Sequence, residues 1–387
     1  MDDLCELDQT HELPVPEAKA DLIKFVDDAV QANLPEGAEV ERIIPHGESL
    51  WGRTAKVEAR HADGRKLSYF LKVHIGAHSH GLMASEYHAM TIIHETMPEL
   101  AIKPLAYGGY ISNPNAYFFL AEFRDMREEM PDVEEFCEQI ALLHKQAVNP
   151  EGKFGWPWPV YAGSKPRTYP LSDSWEETFS AGLRATFDIE EQVQGPDEEL
   201  SGLRAVLFDK LIPCLLRPLQ SEGRSIQPTL VHGDLWHGNI AIDVRTGSPI
   251  IFDPCSLWAH HEFDLGPWAC PRHRIGEQYI YEYRRKHRKA SEPEEDFEDR
   301  MLLYSINFDI QSSSNYPENL TRRELVKDTI RKLISRRGLQ EETKTHSDKA
   351  QPPMTKQGIW ETTHQSTANL AQEKQPTAPR VNVKFLN

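Results

Sequence analysis

The sequence predicts an α+β protein built as two lobes, an antiparallel sheet followed by a mainly helical part. Three observations predict it. Between Val40 and Phe123, runs of alternating apolar and polar residues broken by turn residues flank one helically spaced segment. Helical spacing of apolar residues dominates after Asp125. Within that second part, a short apolar strand ends in His232-Gly233-Asp234 and is followed by a hairpin. The expected boundaries are 1–123 and 124–340 for the lobes and 341–387 for a polar tail. A chain of 387 residues is long enough for two such units.

The elements follow in order. Val40 to Ile44 and Thr54 to Ala59 read as strands around the loop His46-Gly47-Glu48-Ser49-Leu50-Trp51-Gly52, and Asp63-Gly64 turns the chain into a strand from Leu67 to Ile75. On that strand Tyr69, Leu71 and Val73 share one face, and Phe70, Lys72 and His74 share the other. Met83, Tyr87, Met90 and Ile93 then follow helical spacing, with Glu86 among them. Lys103–Tyr110 and Ala116–Phe123 form a further strand pair. Pro131-Asp132 opens a helix lined by Phe136, Ile140 and Leu143, and Ser174 to Gln220 is mostly helical, with a break near Gly195-Pro196. Thr229–Val231 is a strand, Ile240–Val244 and Ile250–Phe252 form a hairpin, and the rest to about Arg337 reads as helix. The tail from Glu341, rich in Gln, Thr, Pro and Lys, reads as disordered, because it has too little apolar surface to offset its ordering entropy.

Charge narrows the function classes. With 43 Lys+Arg against 60 Asp+Glu, the net charge of −17 argues against a nucleic-acid partner, which needs a basic surface. No apolar run approaches the ~18 residues of a membrane span, and the acidic start does not resemble a signal peptide. Five scattered cysteines without a CxxC pair fit the reduced cytosol. The expectation is a soluble cytoplasmic protein.

The chemistry concentrates in His232-Gly233-Asp234-Leu235-Trp236-His237-Gly238-Asn239, which has the D-x-x-x-x-N spacing of a kinase catalytic loop. Fourteen residues after Asn239, across the hairpin, stands Asp253 at a strand end. Phosphoryl transfer from ATP uses this arrangement: one carboxylate takes the proton of the attacking hydroxyl, while a carboxamide and a second carboxylate hold Mg²⁺. Lys72 on a strand and Glu86 on the next helix supply the pair that positions the phosphates. An unpaired Glu86 on an apolar helix face would be expensive, and a Lys partner removes the cost.

These motifs carry a resemblance. HGDLWHGN at 232–239, Ile251-Phe252-Asp253-Pro254, His261-Glu262-Phe263-Asp264, Tyr69-Phe70-Leu71-Lys72 and Gly152-Lys153-Phe154-Gly155 resemble the fructosamine/ketosamine-3-kinase family, and its fungal-type members in particular. The resemblance runs from about Glu39 to Arg337. It implies a protein-kinase-like fold, similar to the aminoglycoside phosphotransferases. It also implies ATP- and Mg²⁺-dependent phosphorylation of the 3-hydroxyl of ketosamines, either glycated protein lysines or small ketosamines, with ribulosamine favoured over fructosamine. Carried over by position, Asp234 is the general base, Asn239 and Asp253 are the Mg²⁺ ligands, and Lys72 with Glu86 is the phosphate pair. Gly47 and Ser49 belong to the phosphate loop, Glu122 and Phe123 to the adenine hinge, and Trp236 walls the sugar. His232 and Asp264 support the catalytic loop. The phosphate loop departs from the family in lacking clustered glycines.

Plainer uses compete. Lys on a strand is usually solvated, and Trp236 suits a core position as well as a substrate wall. His260-His261 lacks the partners of a common metal motif. Another hydroxyl substrate for the same chemistry, or a nucleotide-binding pseudokinase, is the alternative function.

Overall fold

The computed structural model describes residues 25–47, 52–163 and 165–339. The expectations for Ser49, for the chain's start and for the tail from 341 lie outside the described residues.

Five antiparallel strands form the first sheet: β1 (Glu39–Pro45), β2 (Arg53–Arg60), β3 (Lys66–Ile75), β4 (Pro104–Gly109) and β5 (Ala116–Glu122), in the order β1-β2-β3-β5-β4. Strict alternation sorts the two faces of β3. Tyr69, Leu71 and Val73 join Val57, Phe118 and Leu120 in a small core closed by Val30 of the one-turn helix α1 (Asp28–Gln31). The opposite face meets α2 (Ser79–Thr96), whose Met83, Met90 and Ile93 pack with Phe119 and Ala121. Lys72 lies opposite Phe119 in the register, so it shares the face that α2 covers.

After β6 (Met126–Arg127) comes α3 (Val133–Gln146), capped by Asp132, which accepts from the N–H groups of Glu134 and Glu135 at 3.0 Å each. A small hairpin, β7 (Val160–Tyr161) and β8 (Pro166–Arg167), precedes α4 (Trp175–Gln194) and α5 (Glu198–Val206). Then follow α6 (Ile212–Leu216), β9 (Thr229–Val231), β10 (Ile240–Asp243), β11 (Pro249–Ile251), β12 (Leu257–Ala259), α7 (Glu277–Glu282), α8 (Phe297–Asn315) and α9 (Thr321–Arg336). Trp175, Phe179, Phe263 and Tyr304 stack edge to face at the centre of the larger core.

Two features depart from the sequence-based expectation. The chain after Phe252 is not all helix: β12 pairs antiparallel with β9. Met126 and Arg127 also form a strand on β10. Both are too short for any periodic pattern. They exist because the buried β9 and β10 backbones need partners for their N–H and C=O groups.

Candidate active site

The catalytic-loop segment springs from β9. Gly233 has φ +79°, and a Cβ there would stand 2.1 Å from the Cys255 carbonyl oxygen, so only glycine fits between strand and loop. The β10–β11 hairpin, with Ile240 opposite Ile251, folds the chain back as expected, and the Phe252 N–H donates to the Asn239 carbonyl at 3.2 Å. Asp253 is thereby brought beside Asn239, with a φ of +54°, in the left-handed region that Asp and Asn visit more readily than other non-glycine residues.

Lys72 closes the set. Its Nζ donates to Glu86 Oε2 at 2.9 Å and to Asp253 Oδ1 at 2.8 Å, although Asp253 lies 181 residues further on. Lys72 and Glu86 are both buried, while the Asp253 side chain is 45% exposed and open to a ligand. Burial works against the Lys72 charge, but the Asp253 and Glu86 carboxylates raise its pKa above the usual lysine range. Burial likewise opposes ionisation of Asp253, and the Lys72 charge outweighs it, so this carboxyl sits below its ordinary value. Burial raises Glu86, with Lys72 pulling the other way.

Asp234, half-buried, is five residues before Asn239, whose Nδ2 donates to the Asp234 carbonyl at 2.8 Å and to its Oδ2 at 3.3 Å. Burial pushes the Asp234 carboxyl up to about 7, against the opposing charge of Arg167. A carboxyl with that value exchanges its proton near neutrality. The loop is held from below by Asp264. Its carboxylate accepts the His232 N–H at 2.7 Å, the Gly233 N–H at 2.8 Å and His144 Nε2 at 3.0 Å. His232 Nε2 in turn meets the Phe252 carbonyl at 2.9 Å. Two of the residues in this brace, His144 and its partner Tyr283 (2.8 Å), escaped the sequence reading. His144 lies on the apolar face of α3 and carries no local signal.

The Trp236 ring lies over Gly238 and beside His273, with centroids 5.5 Å apart. Gly47 ends the described part of its loop with φ +72°. At the end of β5, the Glu122 N–H donates to the Lys103 carbonyl at 2.9 Å and the Phe123 N–H to the Ser68 carbonyl at 3.2 Å. Both donors are therefore used by the sheet. Arg167 and Arg272, each of which bears electrostatically on Asp234, were also missed by the sequence reading.

Asn239 and Asp253 flank the β10–β11 hairpin, whose closing backbone bond runs from Phe252 to Asn239, and their amide and carboxylate oxygens are hard donors of the kind that suits Mg²⁺ retaining part of its water. His260, His261 and Glu262 form a tight buried cluster, but their atoms are taken: the imidazoles bond to Tyr304, Tyr283 and Ser291 hydroxyls, and Arg300 grips Glu262 at 2.7 and 3.0 Å. Among the described residues no helix is long and apolar enough to cross a membrane.

A strand lysine paired with a helix glutamate, a D-x-x-x-x-N loop and a strand-end aspartate, on a sheet followed by helices, define the protein-kinase-like phosphotransferase fold. The chain belongs to the fructosamine kinase family, whose family model matches residues 44–335. It is 29% identical over 167 residues to the chloroplastic protein-ribulosamine 3-kinase of Arabidopsis thaliana, covering 43% of this chain and 48% of that protein. It is also 29% identical over 227 residues to the ketosamine-3-kinase of Mus musculus, covering 52% and 70%. The match spans less than half the length of the plant relatives. Solved structures agree on the fold. One from Thermobifida fusca, assigned as a fructosamine-3-kinase, superposes with a TM-score of 0.62 at 19% identity, covering 79% of this chain and 98% of that one. An aminoglycoside phosphotransferase, APH(4)-Ia, crystallised with AMP-PNP and hygromycin B, gives 0.52 at 14% identity, covering 77% and 94%.

Proposed function

We propose that the chain is an ATP-dependent kinase acting on the 3-hydroxyl of ketosamines on protein lysines, with ribulosamine preferred, and that it works in the cytosol. The observation that carries this reading is Lys72 Nζ bridging Glu86 and Asp253 beside the Asp234–Asn239 pair. The relatives' names for ribulosamine and ketosamine 3-kinases support the acceptor.

In this reading Asp234 accepts the proton of the acceptor hydroxyl as its oxygen attacks the γ-phosphorus. Lys72 orients the phosphates, and Glu86 keeps Lys72 in place. Asn239 and Asp253 hold Mg²⁺, which supplies charge neutralisation on the phosphates when bound. Residues to Phe123 act as the nucleotide lobe, and 124–340 as the catalytic and acceptor lobe. Gly47 and Ser49 cover the phosphates, and the carbonyls around Glu122 and Phe123 serve adenine. Trp236 walls the sugar.

The test is ADP release from ATP and Mg²⁺ on ribulose-glycated, fructose-glycated and unglycated lysozyme. Turnover should be greatest on the ribulosamine and absent on unglycated protein. ATP binding without turnover on either adduct would overturn the ketosamine assignment.

A further inference from the structure

Buried guanidinium groups need counter-charges, and among the described residues this fold supplies them with one exception. Arg300 is gripped by Glu262, and Arg323 by Glu190 at 2.7 and 2.8 Å. Arg167, only 4% exposed, has no carboxylate in ion-pair contact among the described residues. Its hydrogen-bond partner is the neutral amide of Gln311.

The fold holds Arg167 firmly on a hairpin tethered to the residues just before Asp234. One face of α8 presents three amides a turn apart: Asn307 takes the Tyr169 hydroxyl at 3.2 Å, Gln311 takes Arg167, and Asn315 donates to the Ala162 carbonyl at 3.1 Å. They clamp the β7–β8 hairpin, in which Val160 pairs with Arg167. The hairpin's Tyr161 carbonyl accepts from Cys255 Sγ at 2.9 Å, the Cys255 N–H donates to the His232 carbonyl at 2.8 Å, and the Cys255 carbonyl lies against Gly233. Two contacts thus lead from the hairpin to the residues just before Asp234.

A cation built this rigidly into a site, with one neutral partner and four further N–H donors, lacks its anion. The acceptor does not fit that part, since a ketosamine is a polyol on an amine that is cationic near neutral pH. The phosphoryl group in flight does fit, because it carries several negative charges and passes beside Asp234. We propose that Arg167 is the counter-ion of the phosphoryl group during transfer and of the phosphate ester just formed. In that step the acceptor oxygen bonds to the γ-phosphorus as the bond to the ADP oxygen breaks. The bonding pair leaves on ADP, the hydroxyl proton goes to Asp234, and the Arg167 N–H groups hold the equatorial oxygens.

This inference rests on the phosphoryl-transfer part of the proposed function and not on the acceptor's identity. Arg167→Gln and Arg167→Lys, made in the full chain, test it. The affinity for MgADP alone should be unchanged in both. Aluminium fluoride, a mimic of the phosphoryl in flight, should tighten MgADP about 10²-fold in the wild type, not in the Gln variant, and partly in the Lys variant. Transfer by the Gln variant should slow about 10³-fold with KM for ATP unchanged. Its melting temperature should hold or rise, because an uncompensated buried charge is removed; a clear fall would mark Arg167 as a structural clamp on Gln311 and overturn the proposal. Equal tightening by aluminium fluoride in wild type and Gln variant would overturn it as well. A wild type that transfers to another hydroxyl but shows the Arg167 dependence would remove only the ketosamine assignment. A wild type that neither transfers nor tightens would remove both.

Discussion

At the scale of the residue, environment sets the chemistry of identical side chains. Asp234 and Asp253 are both aspartates near the same loop, yet burial lifts one to about 7 while Lys72 holds the other below its ordinary value despite burial. That separation leaves one carboxyl exchanging its proton near neutrality and keeps the other charged. In the proposed function Asp234 accepts a proton, for which it must be ionised. For the free enzyme, kcat/KM should therefore fall about tenfold per pH unit below about 7 and level off above it. A profile measured from pH 5 to 9 that stays flat down to pH 5 would contradict this. Asp234→Asn keeps the shape and removes the acceptor, so steady-state assays should show transfer slowed by about 10²–10⁴-fold with ATP affinity retained.

At the scale of the element, the parts legible in the sequence were those whose residues repeat with a period. The alternation on β3 placed Lys72 with Phe70 and His74 on one face, and the spacing on α2 placed Glu86 among Met83 and Met90, so their meeting was readable before any coordinates. The hairpin returning Asp253 to Asn239 was readable from its turn residues. What escaped were contacts between distant, locally featureless residues: the two-residue β6, the β9–β12 pair, His144 beneath the loop, and Arg167 clamped by α8. Asp27 is another such case. It caps α1 through the Ala29 N–H at 2.9 Å and ties down a turn more than 80 residues on, accepting from the Ile111 and Ser112 N–H groups and the Ser112 hydroxyl at 2.6 to 3.0 Å. Burial opposes its charge, but these donors outweigh it and bring its carboxyl down to about 2. Asp27→Ala should cost about 2 kcal/mol in urea unfolding at pH 7. The Asp27 charge stabilises above the unfolded value of 3.8, and its contribution is lost as pH falls toward 2, so the gap between wild type and variant should narrow over that range. A gap as wide near pH 2 as at pH 7 would mean the carboxylate's charge is not what holds the turn.

At the scale of the whole molecule, Lys72 is the point where the sheet, α2 and the strand-end Asp253 are joined through one ammonium group. Its removal separates binding from folding. Lys72→Met leaves Glu86, 6% exposed, without its cation, and breaking a buried pair from one side costs on the order of 3 kcal/mol. The sign with pH follows from burial, which raises the folded pKa of Glu86 above its ordinary value. A group shifted in that direction contributes stability below its unfolded pKa and loses it as pH rises through the folded one. The deficit of the Met variant should accordingly be larger at pH 8 than at pH 5, because protonation removes the stranded charge. Binding gives the second half of the test. At 100 times its Kd, MgATP should stabilise the wild type by about 2.7 kcal/mol, seen as a rise in Tm, while the variant at the same concentration gains little. Equal deficits at the two pH values would mean Glu86 finds another partner when Lys72 is gone. An undiminished rise in Tm with MgATP would mean the nucleotide does not depend on this lysine, and the phosphate-positioning role would pass to another cation of the site.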